Sequence, residues 1–297
     1  MTKAAVRAMD AVTEFLGKLP AGAITVKKFV VAGASKRGWT TWSTAAVDAR
    51  VTAIAPIVID MLNVPATFQN HYRAYGFWSG AVQDYVDMGI MNWFDTPQMN
   101  ALQEIEDPYQ YRERMALPSF QMASTGDQFF LPDSPRYYFS DLPGEKYLRF
   151  VPNTDHGMGS FEAVSNLVTW FRSVTQNFPR PRFYWHADRK AGSITVRTVD
   201  EPAKVVLWQA NNPKARDFRL EAIGPAWTGT AVRGENGIYT ARVTAEQGWS
   251  AFLMELTFAG PDETPLVFTT EVVVTPDVYP FEGPPGWGWG ASAAARR

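Results

Sequence analysis

A run of apolar, mostly β-branched residues, Phe29-Val30-Val31-Ala32, breaks at Gly33-Ala34-Ser35, and a helix-compatible segment from Trp39 to Val47 follows at once. No other stretch constrains the chain as strongly. A strand that turns directly into a helix over a serine is the layout of a nucleophile elbow, in which a sharp turn lifts the hydroxyl clear of a sheet. That turn brings strand and helix backbones together, so small residues are needed beside the serine, and Gly33 and Gly38 meet the need. The usual spacing is Gly-x-Ser-x-Gly. Here Arg37 takes the second glycine's place and Gly38 comes one residue later. An ordinary strand–turn–helix with a capping serine has the same local pattern.

The order of residues downstream favours chemistry over capping. A serine hydrolase of this kind needs a carboxylate and then a histidine, each just after a later strand. Pro118 to Thr125 reads as a strand running into Gly126-Asp127, and Lys146 to Val151 as another running into Asn153-Thr154-Asp155-His156-Gly157. Ser35, Asp127 and His156 therefore stand in the required order, and the chain has only three histidines. In an acyl transfer Ser35 is the nucleophile, His156 the base, Asp127 the acid that orients it, and the backbone N–H of Lys36 one oxyanion donor. Asp60, after a second buried strand, is an alternative acid. Asp155 is expected to point away from His156 or to cap the next helix, and Asp133 reads as a turn residue. His71 and His186 lack a strand-end context and read as structural. The side chains of Lys36 and Arg37 are either solvated or near an anionic substrate group.

Composition narrows the alternatives. The 297 residues contain no cysteine, which excludes disulfides, thiolate catalysis and cysteine-ligated metal. The scattered histidines give no metal site, and the glycine-serine turn lacks the spacing of a phosphate-binding loop, so no cofactor is expected. A formal net charge of −2 points to no nucleic-acid surface. No apolar run reaches the length of a membrane span. Residues 1–20 read as an amphipathic helix and not as a signal peptide.

Alternation of strands and helices through residue 178 predicts α/β architecture. The parts are a helix at 2–17, strands at 25–32 and 51–59, an aromatic helical insert at about 64–117 serving as a cap, and a last helix, 160–177. That helix carries Phe161, Val164, Leu167, Val168 and Phe171 on one face. After Pro179-Arg180-Pro181 the pattern changes to about seven short strands between 183 and 275. They begin at Ser193–Thr198 and include Arg219–Ala222, suggesting a separable β-sandwich of immunoglobulin or fibronectin type. Residues 276–297, rich in glycine and proline, read as a disordered tail.

The strings GASKRGWTTW (33–42), RVTAIAPIVIDMLN (50–63), STGDQFFLPDSPRYYF (124–139) and LPGEKYLRFVPNTDH (142–156) resemble the PhoPQ-activated pathogenicity-related (PqaA-type) family. The resemblance covers roughly residues 1–275. It implies an α/β-hydrolase-like fold with a C-terminal β domain, a typically exported protein, periplasmic or secreted, and a triad of Ser35, Asp127 and His156. It leaves the ester or amide substrate and the oligomeric state open, and it is compatible with a vestigial hydrolase fold used for binding or signalling. Hydrolases of this type have several strands before the elbow, whereas one helix precedes it here. The expectation is an N-terminally truncated chain, weak or inactive alone, whose strand 26–32 presents an unpaired edge.

Overall fold

The computed structural model describes residues 1–20 and 22–287. Helix α1 (Thr2–Gly17) leads to strand β1 (Phe29–Ala34), which turns at Ser35 into α2 (Lys36–Val47) and then into β2 (Val51–Ile57). Strand β1 starts four residues later than the apolar pattern suggested. With β3 (Ser119–Ser124) and β4 (Lys146–Val151), β1 and β2 form four parallel neighbours in chain order. Parallel neighbours require crossovers. Helix α2 supplies the first; α1 packs on it with a Thr2–Ser43 hydroxyl pair at 3.0 Å, and Asp10 pairs at 2.9 Å with Arg50 in the turn between α2 and β2. Strands β2 to β4 bury both faces, as covered parallel strands do, and Ile54, Phe120 and Phe150 are fully enclosed. Strand β1 is only half-buried and ends the sheet: among the described residues no strand pairs with its outer edge.

The second crossover, from β2 to β3, carries the helical insert: α3 (Val64–Tyr75), α4 (Gln83–Asp87), α5 (Pro97–Glu106) and short 3₁₀ turns between and after them. It has a core of its own, in which Val64, Val82, Met91, Phe94 and Met99 enclose a surface shared with Trp39, Met61 and Phe129. Those three residues belong to the elbow helix, the loop after β2 and the loop after β3, so the insert is seated on the carboxyl ends of the parallel strands.

Helix α6 (Phe161–Thr175) follows β4 and is capped by the hydroxyl of Ser160, which accepts from Ala163 N–H at 3.2 Å. Its apolar stripe does not face the core as the period predicted. Ala163, Asn166, Thr169, Trp170 and Ser173 are buried, whereas Phe161 is 90% exposed and Val164, Val168 and Phe171 are also turned outward. On the buried side the small and polar Ala163, Asn166, Thr169 and Ser173 leave room for one large side chain, Trp170, which stacks on Phe120 at 5.5 Å.

Beyond β4 the sheet continues. Strands β5 (Phe183–Asp188), β6 (Ser193–Thr198) and β9 (Ile238–Arg242) form a separate antiparallel sheet. By contrast β7 (Lys204–Asn212), β8 (Thr228–Ala231), β10 (Trp249–Phe258), β11 (Leu266–Thr269) and β12 (Val273–Thr275) join the parallel strands. The order is β1-β2-β3-β4-β11-β10-β7-β8, with β12 beside β10. The junction is antiparallel: Thr269 lies opposite Leu148, and its hydroxyl accepts from Phe150 N–H at 3.0 Å. Buried Arg149 reaches across it to Glu255 of β10. The expectation that few contacts cross between residues before 179 and after 183 is therefore corrected. Phe183, Ile194 and Val196 of the smaller sheet share a core with Phe120, Trp170, Phe252, Met254 and Phe268.

Two local expectations also change. Residues 219–222, read as a strand, contain the helical turn α7 (Leu220–Ile223), because the Asp217 carboxylate accepts from Arg219 N–H at 3.1 Å and starts a turn. The tail, expected to be disordered from 276, crosses the insert as far as 287. Asp277 pairs with Arg136 at 2.8 Å, and the guanidiniums of Arg73 and Arg216 each lie over the Tyr279 ring, at 4.2 and 4.3 Å from its centre. Trp287 stacks on Phe94 at 4.8 Å. Glycine and proline content hid these anchors; residues 288–297 lie outside the described residues.

Candidate active site

The elbow is built by backbone contacts on both sides of Ser35. Its N–H donates to Ile57 O at 2.8 Å, while its carbonyl accepts from Gly38 N–H at 2.7 Å and Trp39 N–H at 3.2 Å. The backbone is held at φ 55°, ψ −128°, a region that costs a non-glycine residue about 1–3 kcal/mol and is found mainly at functional sites. Both glycines singled out in the sequence are required. A Cβ on Gly33 would lie 2.6 Å from Arg37 O, and one on Gly38 would lie 2.5 Å from the Ile59 side chain. Gly38 thus does the work of the displaced second glycine: it is the point where α2 closes onto the end of β2.

Asp127 and His156 arrive from the two loops after β3 and β4. Asp127 is buried, and its Oδ1 accepts from Phe129 N–H at 2.7 Å and Phe130 N–H at 3.2 Å, which fixes the carboxylate plane. Its other oxygen, Oδ2, lies 2.8 Å from His156 Nδ1, and His156 Nε2 lies 2.8 Å from Ser35 Oγ. With Nδ1 donating to the carboxylate, Nε2 is the acceptor for the serine proton. The imidazole ring packs against Phe129 and Phe130, with centroids 4.4 and 5.8 Å away. Lys36 opens α2, where the first N–H groups of a helix have no carbonyl partner within it and carry its positive end.

The two loops are laced together. Gly126 N–H donates to Thr154 O at 2.9 Å, and Asn153 N–H to Thr125 Oγ1 at 3.0 Å. The Asn153 amide makes a two-way bridge to the backbone of Trp227, each bond 2.9 Å. Gln128, the residue after Asp127, accepts through Oε1 from the His156 main-chain N–H at 3.1 Å. Neither Gln128 nor Asn153 carries a sequence signal of its own beyond standing near Asp127 and His156 in the chain.

The remaining expectations separate cleanly. Asp60 does not meet His156: it is enclosed beneath the site and hydrogen-bonded to the Tyr138 hydroxyl, and burial pushes its carboxyl well above the usual range. Asp155 accepts from Gly157 N–H at 2.9 Å and turns the loop. Asp133 is more than a turn residue, since it is buried against Arg216 at 2.6 Å and Asn70 at 3.2 Å. His71 is buried in the insert and accepts from Ser79 N–H at 3.1 Å. His186 lies exposed on β5. The Lys36 and Arg37 side chains are exposed. A cavity of about 500 Å³ lined by Phe139, Lys146, Tyr147 and Trp185 opens at the start of β4, away from the end where His156 follows. Its Arg136 and Arg189 are already paired with Asp277 and Glu271. No group of acidic or histidine side chains among the described residues could hold a metal ion, and no described helix is long and apolar enough to cross a membrane.

Comparison with known proteins bears on the family and the fold of the chain. The chain is 39% identical to autocrine proliferation repressor protein A of Dictyostelium discoideum over 310 aligned positions covering 95% of the chain, and it spans 62% of that protein's length. Structural neighbours are α/β-hydrolases. Acetyl xylan esterase 1 from Thermoanaerobacterium matches with a TM-score of 0.39 and 13% identity, over 54% of this chain and 49% of that one. The Pyrococcus horikoshii acylaminoacyl peptidase matches with a TM-score of 0.39 and 18% identity, over 57% and 26%. Residues 1–219 match the family described as PhoPQ-activated pathogenicity-related protein, and the chain belongs to that family.

Proposed function

We propose that this protein is a serine hydrolase that transfers the acyl group of an ester or amide to water through Ser35, His156 and Asp127. Ser35 Oγ attacks the carbonyl carbon while His156 Nε2 takes its proton, and the oxyanion that forms faces the Lys36 N–H at the start of α2. Collapse of the tetrahedral species breaks the bond to the alcohol or amine, which leaves with the proton from His156. Water then attacks the acyl-Ser35 ester by the same route in reverse. Asp127 keeps the imidazole in the tautomer with Nδ1–H and stabilises its cation. The observation that carries the reading is the run of two 2.8 Å contacts from Ser35 Oγ through the His156 ring to Asp127, on a serine held at φ 55°.

A second reading has one observation in its favour: the Dictyostelium relative is named for repressing proliferation. Under that reading the hydrolase fold serves as a binding or signalling module and Ser35 does no chemistry. A fluorophosphonate probe and an activated ester separate the two. Ser35→Ala should abolish probe labelling and lower turnover by about 10⁶-fold, the scale of losing a serine nucleophile, while the thermal midpoint stays near that of the unaltered chain. Undiminished turnover in Ser35→Ala would remove Ser35 from the mechanism, and absence of labelling in the unaltered chain would favour the binding module.

A further inference from the structure

The helical insert does more than cover the carboxyl ends of the strands. Its Ser79 is fully buried, and its hydroxyl donates to the main-chain carbonyl of Gln128 at 2.6 Å. Gln128 in turn is covalently next to Asp127 and accepts through its side chain from His156 N–H. One residue is therefore tied to the acid by the chain, to the base by its amide and to the insert by its carbonyl. Ser79 is itself held from behind by buried His71, which accepts from its N–H at 3.1 Å. The Tyr75 and Trp78 rings pack on that imidazole at 4.8 and 5.6 Å, so it has little freedom to move.

We propose that Gln128 and Ser79 are positioning residues for the acid–base pair: the insert, through Ser79, holds the carbonyl of Gln128, and Gln128 sets the distance between the loops that bear Asp127 and His156. The inference rests on the triad reading above and adds a role for the insert in it. The loops after β3 and β4 leave the sheet separately. A proton relay with two 2.8 Å contacts requires their relative position to be fixed to a fraction of an ångström, and a displacement of about 1 Å in such a site costs on the order of 10²-fold in rate. Besides the Asp127–His156 contact itself, the bond from His156 N–H to Gln128 Oε1 is the one that ties the base to the other loop, and the Ser79 bond stops the Gln128 carbonyl from swinging with that loop.

The test combines chemistry with a spectroscopic signal that does not depend on turnover. With only three histidines in the chain, the downfield Nδ1–H proton resonance of His156 can be assigned by its loss in Asp127→Asn. Gln128→Met keeps length and removes the acceptor. It should lower the fluorophosphonate labelling rate and kcat by roughly 10- to 100-fold with KM little changed, and should broaden or shift the His156 resonance. Gln128→Glu, which retains an acceptor oxygen, should recover most of the rate. Ser79→Ala, a smaller change, should move both readouts in the same direction as Gln128→Met. In an Asp127→Asn background, Gln128→Met should cost little further, because the geometry that it maintains has already been lost. Gln128→Met and Ser79→Ala variants that label at the unaltered rate and retain the His156 resonance overturn the proposal, as do independent, multiplicative losses with Asp127→Asn. A chain whose Ser35→Ala variant still labels refutes the triad reading instead, and the resonance then decides the positioning role alone.

Discussion

Acidification from pH 7 to pH 5 should destabilise this fold through His71, by an amount that follows from proton linkage. Burial in the insert lowers the His71 imidazole from an ordinary 6.5 to about 3. Between those values the unfolded chain binds a proton that the folded chain refuses, so stability rises with pH across the interval. The contribution is complete above 6.5 and is lost as the pH falls toward 3. From pH 7 to pH 5 the loss is about 2 kcal/mol, and this figure depends mainly on the unfolded value, since at pH 5 the folded imidazole is neutral in any case. Asp107 opposes it. Burial raises its carboxyl from 3.8 to about 6, so the folded state binds more protons between those values and stability falls as the pH rises through them. Returning from pH 7 to pH 5 recovers about 1 kcal/mol. The two contributions have opposite signs and partly cancel in the unaltered chain, so the variants are what separate them. Urea midpoints at both pH values, with slopes checked for constancy, should show His71→Gln gaining stability on acidification relative to the unaltered chain by about 2 kcal/mol. Asp107→Asn should lose stability relative to it by about 1 kcal/mol. A His71→Gln variant with the pH dependence of the unaltered chain would refute the account, because it would mean that the imidazole is already solvated in the fold.

Two further outcomes follow from the geometry of the site. Asp127→Asn should slow ester turnover by roughly 10⁴-fold, the scale of losing the correct imidazole tautomer, whereas Asp60→Asn should leave turnover close to the unaltered value. The reverse pattern in steady-state rates would make Asp60 the acid after all. Gly38→Ala forces a methyl to within 2.5 Å of the Ile59 side chain and should cost about 1–3 kcal/mol, as overpacking does. A thermal midpoint unchanged from the parent would show that the contact between α2 and the end of β2 is looser than described.

What could be read from the sequence was local or ordinal. The elbow was legible because its ingredients lie within ten residues: a β-branched run, a glycine for close approach and a serine before a helix. The order Ser35, Asp127, His156 was legible because each loop follows its own recognisable strand. Pairing between distant segments was not. Strand β4 ends one half of the chain and β11 lies more than a hundred residues later, yet they are neighbours. The choice is bound up with a buried arginine, Arg149, whose partner Glu255 cannot be found by any spacing rule. A break in composition at 179–181 was legible, but it marks a change in strand direction and not the end of the sheet. Hydrophobic periodicity failed in a related way at α6. It gives the apolar side of a helix, and that side here carries Phe161 and Phe171, both exposed, while Asn166 and Trp170 face inward. Period describes the helix alone; which side is buried depends on what the sheet offers, and the narrow side of α6 is the one that admits the Trp170–Phe120 stack. Gln128 illustrates the same limit at the scale of the site. A glutamine beside a candidate acid carries no sequence signal of its own, since its importance arises only when the fold brings Ser79 from one direction and His156 from another to the two ends of one residue.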